Sequence, residues 1–329
     1  MSGGEQTLLE VSGRMTSRDR WIFAMLHEHR VLTRHQITRL AFTGDRMTRL
    51  RLATLTRLRT VDRLRTYYGQ GRGTGPYHYA LGPAGAAILA AERGLAVADL
   101  GYRRDKLHAW ANSPRIGHLL GVNAVFTAWV HASRTRPAQE GLTVWWSEPR
   151  ATALWGQWIR PDGYGTWQTP RRRLDFFVEF DTGTESLSQV ARKIPGYTRL
   201  AASSGLTSPV LIWLPSAARE RELRARLATT PAGVVLVTAA PAPLTTSPLT
   251  PTAPATEPAD LAPARPVWLP LNATTRTDLD GLTDRYGTPI VSRSPLDDPD
   301  PPGDDEHDQA PVPRPPAPHF GPRSLLGPG

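Results

Sequence analysis

The sequence predicts an α+β / α/β fold in two domains, and three features of its 329 residues carry that expectation. Between Ser17 and Gly94, three helical stretches precede two aromatic-rich strand stretches joined by a glycine-rich loop. Between Asp105 and Ala240 the order reads α-β-β-β-α-β-α-β. The later strands there are apolar throughout and alternate with helices, as in a mixed sheet covered on both faces. Residues 241–265 are rich in Pro, Ala and Thr, and residues 294–329 in Pro and Asp. Such composition predicts a linker and a disordered tail.

Residues 1–16 look like a flexible leader. SRDRWIFAMLHEH follows, with Ser17 as N-cap and Trp21, Ile22, Met25 and Leu26 on one face. RVL is a short extended link. Thr33 caps a second helix, TRHQITRLAF, which turns Ile37, Leu40 and Ala41 inward. After the turn TGD, residues 46–60 form a third helix, with Met47, Leu50, Thr54 and Leu58 as its expected core stripe. LRTYY and YHYAL then flank GQGRGTGP as a hairpin, and GPAGAAILAAERG closes the unit as a helix. Helices and hairpin in this order predict a winged helix-turn-helix over residues 17–94.

Residues 94–104 read as a connector, and a long helix is expected from Asp105 to about Arg134. Strands follow at TVWWSE (143–148), GQWIRPDGYGTWQ (156–168) and RRLDFFVEFD (172–181). The helix SLSQVARKIPGYTRLAA is broken or bent at Pro195. SPVLIWLP and GVVLVTA are apolar strands around the amphipathic helix ARERELRARLA. The second domain therefore spans 105–240, and residues 266–293, which contain VWLPLN, form a short segment returning to it.

The net charge is +9 and the pI about 10.4, which favours a polyanionic partner, most simply double-stranded DNA. Lys106 and Lys193 are the only lysines; the other basic residues are arginine. With no cysteine, neither disulfides nor thiolate metal sites are available. MSGGEQTLLEVSGR lacks the charged and apolar regions of a secretory signal, and the apolar run at 118–132 falls short of the roughly 20 residues a membrane span needs. A cytoplasmic protein with no membrane partner is expected. In a helix-turn-helix the second helix of the pair enters the major groove. Arg46, Thr48, Arg49, Arg51 and Arg57 are then candidates for its exposed side, and Arg72 for a wing-tip contact to phosphate or the minor groove.

If LDFFVEFD is a strand, Asp175, Phe177, Glu179 and Asp181 share one face. Antiparallel pairing with the preceding strand would set Asp162 opposite Glu179 and Asp181. Carboxylates held that close stay ionised only beside a cation. Hard oxygen ligands suit Mg²⁺ or Mn²⁺, which can polarise a phosphodiester and activate water. Asp162, Glu179 and Asp181 are the expected metal ligands and Lys193 the accompanying catalytic cation. Glu148 is a possible fourth acid.

RPD followed by VEFD inside α-β-β-β-α-β resembles the PD-(D/E)xK nuclease superfamily, with its restriction-endonuclease-like fold, over roughly residues 105–240. The resemblance maps the usual acids onto Asp162 and Glu179. The motif lysine position is Asp181 here, and Lys193 on the following helix is the substitute that some members of that superfamily use. The wider layout resembles the replication-relaxation proteins of actinobacterial plasmids and mobile elements over about residues 15–275. That resemblance rests on the winged helix, HLLGVN, RPD, FFVEFDTGTESLSQVARKIPGY and VWLPLN, and chiefly on EFDTGTESL with the following lysine and Tyr197. It implies a role in plasmid replication and DNA relaxation, with other plasmid replication proteins as further partners.

Two functional alternatives remain. One is a DNA-binding protein whose second domain nicks or cleaves DNA as a Mg- or Mn-dependent endonuclease. The other is a non-catalytic regulator or replication accessory factor with a pseudo-nuclease domain, in which Arg192 or Arg199 binds Glu179 and Asp181. Other chemistries fit less well. HEH at 27–29 lies on a helix, where its rings diverge by about 200°, unlike the paired histidines of a relaxase. GQGRGTG joins two strands, whereas a phosphate-binding P-loop leads into a helix. His118 and Asn123 read as core or capping contacts.

Overall fold

The computed structural model describes residues 3–67, 74–111, 113, 115–228, 233–241, 259–290 and 310–316. The chain divides into two units, residues 1–113 with 305–329, and residues 114–304.

The first unit opens with α1 (Gly3–Gly13), so the expected flexible leader is helical over most of its length. In α2 (Ser17–His29) the cap is Thr16, one residue before the expected Ser17. Thr16 Oγ1 accepts from Asp19 N, and the Asp19 carboxylate accepts from Thr16 N at 2.7 Å, a reciprocal capping box. β1 (Val31–Thr33) leads into α3 (Arg34–Ala41), which Thr33 caps in a second box with Gln36. α4 (Asp45–Arg57) follows, then β2 (Val61–Tyr67), β3 (Thr74–Leu81), α5 (Pro83–Glu92) and α6 (Arg104–Ala111). The three strands form an antiparallel sheet in the order β1-β3-β2.

The expected core stripe of α4 is corrected by its rotation. Met47 and Leu50 are 57% and 58% exposed, while Thr48, Leu52 and Leu55 are buried. The reason is polar anchoring. Thr48 Oγ1 donates to Gly44 O and bonds Thr38 Oγ1, both at 3.0 Å, and Arg51 clamps the buried Asp19. Those contacts turn Thr48 and Arg51 inward and roll Met47 and Leu50 out.

The long helix expected from Asp105 is also corrected. It is two helices, and the first, α6, belongs to the first unit, where Arg104 and His108 bond Asp62 of β2. Within the tail expected to be disordered, residues 310–316 pack on this unit. Trp21 Nε1 donates to Val312 O at 2.7 Å, and Pro313 is buried.

The second unit contains α7 (Ile116–Ser133), β4 (Gly141–Ser147), α8 (Glu148–Trp155), β5 (Gly163–Gln168) and β6 (Arg172–Phe180). It continues with α9 (Leu187–Ala191), α10 (Ile194–Ser204), β7 (Val210–Trp213), α11 (Ala217–Leu227) and β8 (Leu236–Ala239). β9 (Leu269–Pro270), α12 (Leu279–Tyr286) and β10 (Thr288–Pro289) complete it. The sheet order is β4-β5-β6-β7-β8-β9, with β10 on β6; β6, β7 and β8 run parallel and the other pairs antiparallel. The strand expected at 156–168 begins only at Gly163: an additional helix, α8, precedes it, and the chain turns after that helix with Trp158 N and Ile159 N both bonded to Trp155 O. Pro195 sits in the first turn of α10 and separates it from α9; there its missing N–H costs nothing.

Both faces of the sheet are covered. On one, Phe126 and Trp129 of α7 pack against Trp145, Phe176 and Trp268. On the other, Tyr164, Phe177 and Ile212 join Tyr197, Leu200 and Leu223. The segment after the linker is anchored here by a shared acceptor: Trp129 and Trp268 both donate to Pro263 O, at 2.7 and 2.9 Å. Residues 259–264, expected as linker, form a 3-10 turn around that carbonyl. Among the described residues no helix is long and apolar enough to cross a membrane.

Candidate functional site

The alternation of β6 sends Phe176 toward α7 and Phe177 and Glu179 toward α10. The β5–β6 register pairs Gly163 with Val178, so Asp162, one residue earlier, meets the end of β6. Its Oδ2 accepts from Phe180 N at 2.8 Å. Two glycines let helices close over this point. A Cβ on Gly121 would lie 2.3 Å from the Phe180 ring, so its absence brings α7 down onto β6. His118, one turn earlier on α7, then reaches Asp162 Oδ2 at 3.0 Å and stands edge-on to Phe180. A Cβ on Gly196 would lie 2.8 Å from Trp158 O, so α10 starts close beneath the loop that carries Asp162. Lys193 and Tyr197 flank that contact.

The result is a buried cluster. Lys193 Nζ pairs with Glu179 Oε2 and lies 3.7 Å from Asp162 Oδ1. Tyr197 OH donates to Glu179 Oε1. Glu179 is 3% exposed, and Asp162 is buried beside it. Burial first, then the charge of Asp162, pushes the Glu179 carboxyl up to about 8, against the opposing pull of Lys193. Burial alone would also raise Asp162, but the His118 hydrogen bond, the Lys193 charge and the Phe180 N–H outweigh it and hold Asp162 below the ordinary carboxylate range. Burial lowers Lys193, yet the two carboxylates more than compensate and leave it raised, so it stays protonated. Burial and the Glu179 charge push the Tyr197 phenol well above its ordinary value, so it remains a proton donor. His118 is raised because the Asp162 hydrogen bond and charge outweigh its burial.

Asp162, Glu179 and Lys193 are thus brought together, and Asp181 belongs to a different contact set. Its carboxylate is clamped by Arg219 of α11 and accepts from Gly183 N at 2.8 Å. Arg219, and neither Arg192 nor Arg199, makes this pair, because α11 starts a few residues after the end of β7, the parallel neighbour of β6. Glu148 is exposed at the start of α8. Asp162 and Glu179 supply oxygen donors of the type that hold Mg²⁺ or Mn²⁺. Among the described residues, no three His, Cys, Asp or Glu side chains form a metal-holding group.

On α4 of the first unit, Arg46, Arg49 and Arg57 are exposed, together with Met47, Leu50 and Ala53. At 100° per residue these six positions fill one arc, opposite Thr48, Leu52 and Leu55. Thr48, expected on the exposed side, is fully buried, and Arg51 is committed to Asp19. Arg49 makes a loose exposed pair with Asp45 at 3.5 Å. Arg72 lies outside the described residues.

Sequence reasoning missed His118, which was read as a core or capping contact, and gave Tyr197 no role beyond the motif. The spacing of His118 and Gly121 on one helix face was the available signal for the first. The second needed the α10 geometry.

These features define a mixed α+β protein of two units, one a helical unit with a small antiparallel sheet, the other a mixed sheet whose strand ends carry a buried acid–lysine cluster. The chain belongs to the replication-relaxation family, whose profile matches residues 23–211. That span includes α4 and every member of the cluster. Membership associates the chain with replication or relaxation of plasmid or mobile-element DNA. No curated protein and no solved structure matches it.

Proposed function

We propose that this protein binds double-stranded DNA through its first unit and nicks or cleaves a DNA strand with its second. The convergence of Asp162, Glu179 and Lys193 at one end of the sheet carries this reading. The first unit reads as a winged helix-turn-helix, supported by the order α2-β1-α3-α4-β2-β3 and by β1 pairing with β3. In it α4 is the recognition helix, with Arg46, Arg49 and Arg57 on bases or phosphates and Met47 and Leu50 against apolar base edges. The second unit reads as restriction-endonuclease-like. Asp162 Oδ1 and Glu179 Oε2 face one ammonium, so the same oxygens fit a divalent cation once Lys193 swings aside. Such a cation would polarise the phosphodiester and activate water. Lys193 then neutralises charge on the phosphate, Tyr197 holds Glu179 in one rotamer, and His118 holds Asp162.

Supercoiled plasmid incubated with Mg²⁺, Mn²⁺ or EDTA, beside a Glu179→Ala variant, tests this. Metal-dependent nicking that the variant lacks is expected. A second reading, a DNA-binding accessory factor without catalysis, is favoured by the Arg219 clamp on Asp181 and by one further observation. Both oxygens of Glu179 are already satisfied by Lys193 and Tyr197, a self-sufficient network. Duplex binding that is indifferent to EDTA, with no nicking, selects that reading.

A further inference from the structure

We propose that a cavity on the first unit, lined by no residue of α4, is a phosphate-binding site. It would take the phosphate of a free nucleotide or of the DNA backbone. The cavity holds about 230 Å³ and is lined by Arg30, Arg103 and Lys106 over a floor that includes Leu26 and Leu81. At about 30 Å³ per water, that volume suits a phosphate with part of a sugar attached. The two leucines are fully buried, so the floor is a low-dielectric surface that focuses the field of the three cations. Tyr102, also in the wall, is fixed by its hydroxyl bond to Leu81 O at 3.2 Å.

Three observations separate this cavity from an ordinary basic surface. First, two of its three cations, Arg103 and Lys106, are weakly neutralised. Arg103 pairs only with Asp105, at 3.1 Å and with both side chains largely exposed, and Lys106 makes no ion pair among the described residues. Second, Arg30 has φ 64° and ψ −62°, in the region where glycine is at ease and a branched or long side chain is not. An arginine kept at a glycine position suggests a use for its guanidinium, as strained residues gather at ligand sites. Third, Lys106 is one of only two lysines in the chain, and the other is Lys193 in the acidic cluster. A compact ammonium differs in kind from the guanidinium that supplies every other basic side chain. None of this depends on α4 reading DNA or on the second unit cutting it.

The test is isothermal titration of the full chain with deoxyadenosine monophosphate, with inorganic phosphate, and with a short duplex. Wild type is compared with Arg30→Gly and Lys106→Ala. Saturable binding of the nucleotide or of phosphate is expected, weakened at least tenfold in both variants. Arg30→Gly is expected to melt at or above the wild-type temperature, because glycine relieves the turn, so its loss of binding cannot be ascribed to misfolding. If neither small ligand binds but both variants weaken duplex binding tenfold, the phosphate comes from the DNA backbone. If neither variant changes the affinity for any of the three ligands, the proposal is wrong, whatever α4 and the acidic cluster do.

Discussion

Replacing Lys193 by Met keeps the bulk of the side chain and removes the charge between Asp162 and Glu179. At 3.7 Å, and with an effective dielectric of about 20, the attraction to Asp162 alone is roughly 4 kcal/mol before desolvation is subtracted. Stripping one partner from a buried pair costs about 3–5 kcal/mol, and the one-third exposure of the Lys193 side chain places this case at the low end. Glu179 softens the loss by keeping a proton. Its folded value near 8 lies above the ordinary 4.5, so its contribution favours the fold below the ordinary value and is lost as pH rises toward 8. Without Lys193 the folded value climbs further. Above pH 8 the wild-type carboxyl ionises in the fold while that of the variant still resists, and the two diverge by up to about 1.4 kcal/mol per pH unit. The expected destabilisation is therefore about 2 kcal/mol at pH 6 and about 3 kcal/mol or more at pH 9. Urea unfolding followed by tryptophan fluorescence measures it, since every tryptophan except Trp21 and Trp110 lies in the second unit. A stability gap that stays flat or narrows between pH 6 and pH 9 would refute the reasoning.

Glu179→Gln is expected to reduce metal-dependent nicking by at least about 100-fold, while Asp181→Asn leaves the rate within about threefold because Asp181 serves the Arg219 clamp; plasmid nicking time courses at a temperature where both fold give the comparison. Arg51→Ala strands the buried Asp19 and should cost about 3 kcal/mol in denaturant melts. Arg49→Ala should leave stability within about 0.5 kcal/mol, yet lower the slope of log affinity against log salt for duplex DNA by about 0.9. Gly121→Ala forces a methyl into the Phe180 ring and should cost about 1–3 kcal/mol, with partial recovery in a Gly121→Ala, Phe180→Leu double variant seen by thermal melting.

Much of the local structure was legible from residue pattern. Thr33 capping α3, Pro195 at the head of α10 and the apolar strands β7 and β8 follow from short-range rules, because caps, prolines and periodicity act within a few residues. The antiparallel β5–β6 pairing considered from strand order is present, and it sets Asp162 near Glu179 but not, as that pairing also implied, against Asp181. Errors arose where a distant partner chose among equally plausible faces. The rotation of α4 was decided by Asp19 and Thr38, which lie on other helices, and apolar periodicity favoured the wrong stripe. The split between α6 and α7 was decided by Asp62 on β2.

The same division runs through the candidate site. The sequence by itself determined the inventory: acids on one strand, a rare lysine on the next helix, and a basic helix in the first unit. Only the tertiary structure decided which acids share a cation. Asp181 and Glu179 are two residues apart and share a face by strand alternation, yet a guanidinium on α11 takes one and an ammonium before α10 takes the other. The choice depends on where two helices cross the ends of parallel strands. For α10 that is set by a packing contact, Gly196 on Trp158, which leaves no periodic trace in the sequence.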